Sequence, residues 1–182
     1  MNAAVTNPFS SISDSIMDDL VTYDALLFPA DGRQPHLVEL MTSPVTQTNP
    51  QTGQLVLVSV MPHPEVHMDG IAEGQDAGVP WRYQIIESLD GMTRSFANPY
   101  ILFYPVRPRP GTFFPLNKAI REIQGIHSEQ PAWKGNIVIA KYRGGADDPF
   151  MALLDATMAD FPILKNFLSM STPPSTPTVR IA

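Results

Sequence analysis

Short apolar runs, each closed by proline or a turn pair, set the texture of this chain from Tyr23 onward. Tyr23 to Phe28 is one such run, ended by Pro29 with Asp31-Gly32 as the turn. His36 to Thr42 is the next. Its apolar positions (Leu37, Val38, Leu40, Met41) fit helix or strand, and the closing Pro44 favours a strand that Val45 to Gln47 continues. Asn49-Pro50-Gln51-Thr52-Gly53 predicts a hairpin loop with Gly53 as its left-handed residue. Leu55 to Met61 is then the return strand. Apart from Ser59 it is apolar on both faces, the pattern of a strand with neighbours on either side, so an interior place in the sheet is expected.

The same texture returns at Trp81. Trp81, Tyr83 and Ile85 alternate with Arg82 and Gln84, which predicts a strand with one buried face. Asp90-Gly91 predicts a tight hairpin joining Trp81–Ser88 to Met92–Phe96. Tyr100 to Tyr104 is a further strand, stopped by Pro105. Pro115 suits a first helical turn, with Leu116, Ala119, Ile120 and Ile123 on one face and Gly125 as the stop. From Trp133 the chain spells a buried strand over Ile137–Ala140 and a Gly144-Gly145 turn. A helix start capped by Asp148 follows, then a second helical face of Phe161, Ile163, Leu164, Phe167 and Leu168.

This strands-then-helices order predicts an α+β fold. Its sheet is mainly antiparallel, with about six or seven strands and two or three helices packed on one face, mostly towards the C-terminus. Residues 1–20 read as a loose arm or a short helix capped by Ser13 or Asp14, and 21–170 as a single domain. Residues 171–182 read as a disordered tail rich in Pro, Ser and Thr.

Composition sharpens the functional side. The chain has 182 residues, a net charge of −6, 19 prolines and no cysteine. An acidic chain is poorly suited to neutralising phosphates, so general nucleic-acid binding is not expected. Without cysteine there is no disulfide, thiolate nucleophile or thiolate metal site. No apolar stretch approaches the ~18–20 residues of a membrane span, and no signal-peptide pattern opens the chain, so a soluble, cytoplasmic protein is expected.

One constellation suggests metal chemistry. His63, Glu65, His67 and Asp69 alternate with Pro64, Val66 and Met68. In an extended segment they would share one face with a spacing of ~6.6 Å. Imidazole and carboxylate together suit divalent Zn, Mn, Ni or non-haem Fe. A polar loop edge beside a sheet gives the same alternation. The order is not that of the helical zinc-protease motif. The long segment from Pro62 to Pro80, with glycines at 70, 74 and 78, is the natural place for a functional loop.

Other motifs resolve more simply. Gly144-Gly145 before a helix invites a phosphate-loop reading, but Asp147, Asp148 and Pro149 would repel an anion and occupy the helix start. There is no Gly-x-Ser-x-Gly elbow. Val106-Arg107-Pro108-Arg109-Pro110 is a basic polyproline candidate whose Arg107 and Arg109 could engage a protein partner; a rigid crossover has the same composition. Asn7-Pro8-Phe9 matches an adaptor-binding tripeptide and equally an ordinary turn. Taken together, the residues describe a non-catalytic binding or interaction protein. The alternatives are a small metal-dependent enzyme or metal-bound ligand carrier using His63–Asp69 and, more weakly, a structural or self-assembling protein.

Overall fold

A computed structural model of the chain describes residues 21–68, 81–89, 92–125 and 127–174. The expected N-terminal arm, Asn7-Pro8-Phe9, Asp69, the Asp90-Gly91 turn and the tail from residue 175 lie outside the described residues. Among those described, the strands are β1 (Val21–Phe28), β2 (His36–Thr48), β3 (Leu55–Pro62), β4 (Trp81–Ile86), β5 (Tyr100–Pro105), β6 (Ile137–Tyr142) and β7 (Leu153–Leu154). The α-helices among the described residues are α1 (Lys118–Gln124) and α2 (Phe161–Met170). All the strand pairings are antiparallel, in the order β3-β2-β1-β6-β5-β4, and β7 pairs with the end of β6.

The sheet is built from two ribbons, β1–β2–β3 and β4–β5–β6, joined where β1 meets β6. That seam is short: Leu26 faces Ile139, Leu27 faces Val138 and Phe28 faces Ile137. All six of these side chains are buried, because apolar layers cover both faces of the sheet here. On one face, Leu26, Phe28, Leu102, Ile137 and Ile139 pack against Ile120 of α1 and Leu164 and Leu168 of α2. On the other, Ala25, Leu27, Phe103, Val138 and Ala140 meet Met68, Trp81 and Leu153, with Phe114 and Phe150 packed alongside.

Two asparagines fasten the seam. Asn117 caps α1 by accepting from the Ile120 N–H at 2.9 Å, and its Nδ2 donates to the carbonyls of Phe28 and Gly135, both at 2.8 Å. Asn136 accepts from the Ala30 N–H and donates to the His67 carbonyl, each at 2.8 Å. Asn117, buried with all three of these bonds made, adds rigidity, whereas losing one partner would strand a polar group. Leu116, expected on the helix face, lies before the helix instead. It is partly exposed and forms a bridge to Lys134.

Three sequence expectations need correction. The hairpin partner of β4 is β5, with Trp81 opposite Pro105 and Ile86 opposite Tyr100; Met92–Phe96 is irregular connector. The segment after Gly145 is not a helix at once. Asp148 does cap it, accepting from the Phe150 N–H, but Pro149–Ala152 is a single 3-10 turn that leads into β7. Most consequentially, β3 is an edge strand and not an interior one.

The Gly144-Gly145 pair has a structural explanation. A Cβ on Gly144 would sit 2.5 Å from the Ala97 carbonyl oxygen, to which the Gly144 N–H donates, and Gly145 adopts φ +78°. The close backbone approach and the left-handed residue both call for glycine.

α2 is anchored at its start by a buried polar cluster. Lys141 Nζ donates to Asp160 Oδ1 at 3.0 Å, the Tyr100 hydroxyl donates to the same oxygen at 2.9 Å, and the Thr157 N–H donates to Oδ2 at 2.8 Å. Burial pushes the Asp160 carboxyl up, but the Thr157 N–H, Lys141 and Tyr100 outweigh it and hold the pKa below the usual value. Burial and the Asp160 charge hold the Tyr100 hydroxyl well above its ordinary range. A depressed carboxylate stabilises the fold above its unfolded pKa, and this contribution is lost as pH falls through the folded one. Asp160→Asn is therefore expected to cost about 3 kcal/mol at neutral pH, the usual scale for breaking a buried pair. The gap between variant and parent should close as pH drops below about 4. Urea titrations across pH check this; a gap independent of pH would show that the carboxylate charge is not what anchors α2.

Candidate functional site

The chain's largest departure from ordinary surface chemistry is at β3. Leu55, Val56, Leu57 and Val58 are each between 47% and 55% exposed, and Met61 and Val45 are partly exposed beside them. β2 and β3 run past the end of β1, whose first described residue, Val21, pairs with Thr42. Thr46, Gln47 and Thr48 thus face Leu57, Val56 and Leu55 in a two-stranded arm, since the described part of β1 pairs with β2 only as far as Thr42. The Asn49–Gly53 loop closes the arm as the sequence predicts: Gly53 has φ +68°, and the Asn49 N–H donates to the Gln54 carbonyl at 2.8 Å. Pro44 falls just past the Thr42–Val21 pair, where, among the described residues, β2 is laddered to β3 alone and a missing N–H is tolerated.

The register shifts by one residue between Val45 and Thr46, so Val58 is the extra residue of a bulge on β3. Natural edges are usually blunted by charge, proline or a bulge. β3 has the bulge alone. Between Glu39 and His63 the sequence holds no charged side chain, in a chain of net charge −6. The opposite edge, β4, carries the charged Arg82 at a position that reaches solvent. The two edges of one sheet are thus finished differently.

Beneath the arm lies a groove of about 470 Å³, lined by Tyr23, Thr42, Pro44, Leu55, Leu57 and Phe150, among others. Phe150 forms its inner wall and packs edge-on against Tyr83 at 5.1 Å and stacked on Phe103 at 6.2 Å, tying the groove to the core. Asp148 adds a polar tie, accepting from the Ser59 hydroxyl at 2.7 Å. The arm therefore has a fixed base and an open end.

The metal candidates are placed otherwise than an extended segment would place them. Pro64–His67 is a 3-10 turn, so the alternate positions do not share one face. His63 and Glu65 do come together, Nδ1 to Oε1 at 2.8 Å, while His63 Nε2 bonds the Ser43 hydroxyl at 2.7 Å. The second Glu65 oxygen accepts from the Trp81 indole N–H at 2.8 Å. His67 is turned away, its Nε2 on the Glu39 carbonyl at 2.7 Å. Among the described residues, no three His, Asp or Glu side chains converge in a metal-binding group. His63 and Glu65 instead pin the end of β3 to β2 and β4. Arg107 and Arg109 are both exposed and each has an interaction partner; the Arg109 carbonyl accepts from the Thr112 N–H and hydroxyl in the turn at Gly111. No helix among the described residues is long and apolar enough to cross a membrane.

No family model, no curated protein and no solved structure matches this chain. The site is therefore read from its own geometry.

Sequence reasoning registered the apolar character of Leu55–Met61 but assigned it to the interior. The missing signal was the uncharged stretch around it: interior strands need no charge nearby, yet a whole hairpin lacking charge on a charged chain is unusual. If these side chains face solvent and do not build the monomer core, Leu57→Lys and Val58→Lys should each change stability by less than about 0.5 kcal/mol. Leu27→Ala, in the buried core, should cost about 2–5 kcal/mol. Chemical denaturation of the three variants at low protein concentration checks this; a core-sized loss for Leu57→Lys would mean that β3 is packed.

Proposed function

We propose that this chain is a non-catalytic interaction protein that binds an extended, uncharged apolar protein segment along the free edge of β3. The observation that carries the reading is a strand edge apolar on both faces, half exposed and without a charged residue. A free edge offers unpaired N–H and C=O groups, so an extended segment gains main-chain hydrogen bonds there, while alternate side chains find the surface on either face. Leu55 and Leu57 with the groove floor receive the side chains of one face, and Val56 and Val58 those of the other. Specificity then comes from exclusion: a charged side chain set against this edge would be desolvated with nothing to pair it.

Selection from a displayed library of eight- to ten-residue peptides tests this reading. Enriched peptides are expected to be uncharged and rich in β-branched or aromatic residues, and to lose at least tenfold in affinity for the Leu57→Lys/Val58→Lys double variant. Binding that the double variant leaves unchanged, or enrichment of charged peptides, would overturn it.

A further inference from the structure

Resting on that reading of β3, we infer that the segment it binds is β3 of a second copy of this chain, so that two copies join edge to edge as an antiparallel pair about a two-fold axis. Three features of the structure single out this occupant. An antiparallel pair of identical strands is self-complementary, since each residue meets its counterpart through one symmetry operation. For most edges such symmetry is costly, because any charge on the strand is set against itself or its own kind. Here no charged residue lies anywhere between Glu39 and His63, so β2, the loop and β3 can all meet their copies without like-charge opposition. Other faces of a chain with net charge −6 would not meet so neutrally.

The second feature is the pattern of the strand itself. β3 is apolar on both faces, and its Leu55–Val58 are half exposed in the single chain. Among the described residues β2 is the only strand paired with β3. A paired copy adds a second neighbour whose own apolar side chains lie beside these on both faces, so part of that surface leaves water. The third feature is reach. The arm runs past Val21, the first described residue of β1, so two arms can pair without the other described strands of the two copies meeting. The bulge at Val58 interrupts the edge nearer the body, which puts the pairing on Leu55–Leu57. A contact of one short strand is smaller than a standard stable interface, so the expected dissociation constant is on the order of 10 µM.

The chain has no cysteine, so single introduced cysteines report the contact cleanly. Leu55→Cys, Val56→Cys and Leu57→Cys should give oxidative dimers, fastest at the position nearest the two-fold axis. Met170→Cys, which replaces an exposed residue on α2, should not. Sedimentation of the parent chain should show a monomer–dimer equilibrium that about 0.5 M salt does not weaken, because no charge pair holds it. The Leu57→Lys/Val58→Lys variant should stay folded by circular dichroism and monomeric at every concentration. A parent chain that remains monomeric at about 300 µM, or equal cross-linking at Met170→Cys, would overturn the pairing. If uncharged library peptides still bind β3 in that case, the edge is a docking site for another protein and only the identity of the partner fails. If they do not, both readings fall together.

Discussion

The pairing of β1 with β6 is the contact on which the rest of this structure depends. Only three residue pairs make it, yet it joins the first strand of the domain to one formed more than a hundred residues later. Its six apolar side chains lie under both hydrophobic layers, and Asn117 and Asn136 bond across its end. Such a contact carries a large loop-closure cost, which burial on both faces offsets. It also decides which strands are left outside. With β1 and β6 at the centre, β3 and β4 become the edges.

From that placement the surface chemistry follows. β4 is short and has the charged Arg82 reaching solvent, while β3 has only a bulge to blunt it. The polar groups nearest β3 serve to hold it still. His63 bonds Ser43 and Glu65, Glu65 takes the Trp81 indole proton, and Asp148 takes the Ser59 proton. These bonds fix the body-proximal part of β3 and leave Leu55–Val58 open. A rigid base with an exposed uncharged strand is what strand addition needs, because little ordering entropy is lost when a second strand arrives.

Much of this could be read from the sequence. The runs Tyr23–Phe28, Tyr100–Tyr104 and Ile137–Ala140, the Asn49–Gly53 loop, the Asp148 cap and the helical face from Phe161 to Leu168 all carry local signals: periodicity, turn chemistry or capping. What was not legible was relational. Apolar residues on both faces of β3 say that its faces are to be covered, without saying by what, and they do not distinguish an edge strand from an interior one. Asp90-Gly91 suggested a tight hairpin, but pairing with the more apolar Tyr100–Pro105 buries more surface and prevails. The alternation from His63 to Asp69 assumed an extended backbone, and the Pro64 turn removed it. Asn117 and Asn136 gave no pattern at all, since an asparagine that bonds distant main-chain groups looks in sequence like any loop residue.

Amide hydrogen exchange along Leu55–Val58 tests the central claim most directly, because it reads whether the outer main-chain groups of β3 acquire a partner. In dilute solution these amides should exchange rapidly wherever they point away from β2. At about 100 µM, where a dissociation constant of about 10 µM leaves about one chain in five monomeric, they should slow about fivefold in the parent chain. The Leu57→Lys/Val58→Lys variant should show no such change. Exchange rates that do not depend on concentration in the parent, or the same slowing in the variant, would contradict the account of β3 as an edge completed by a second strand.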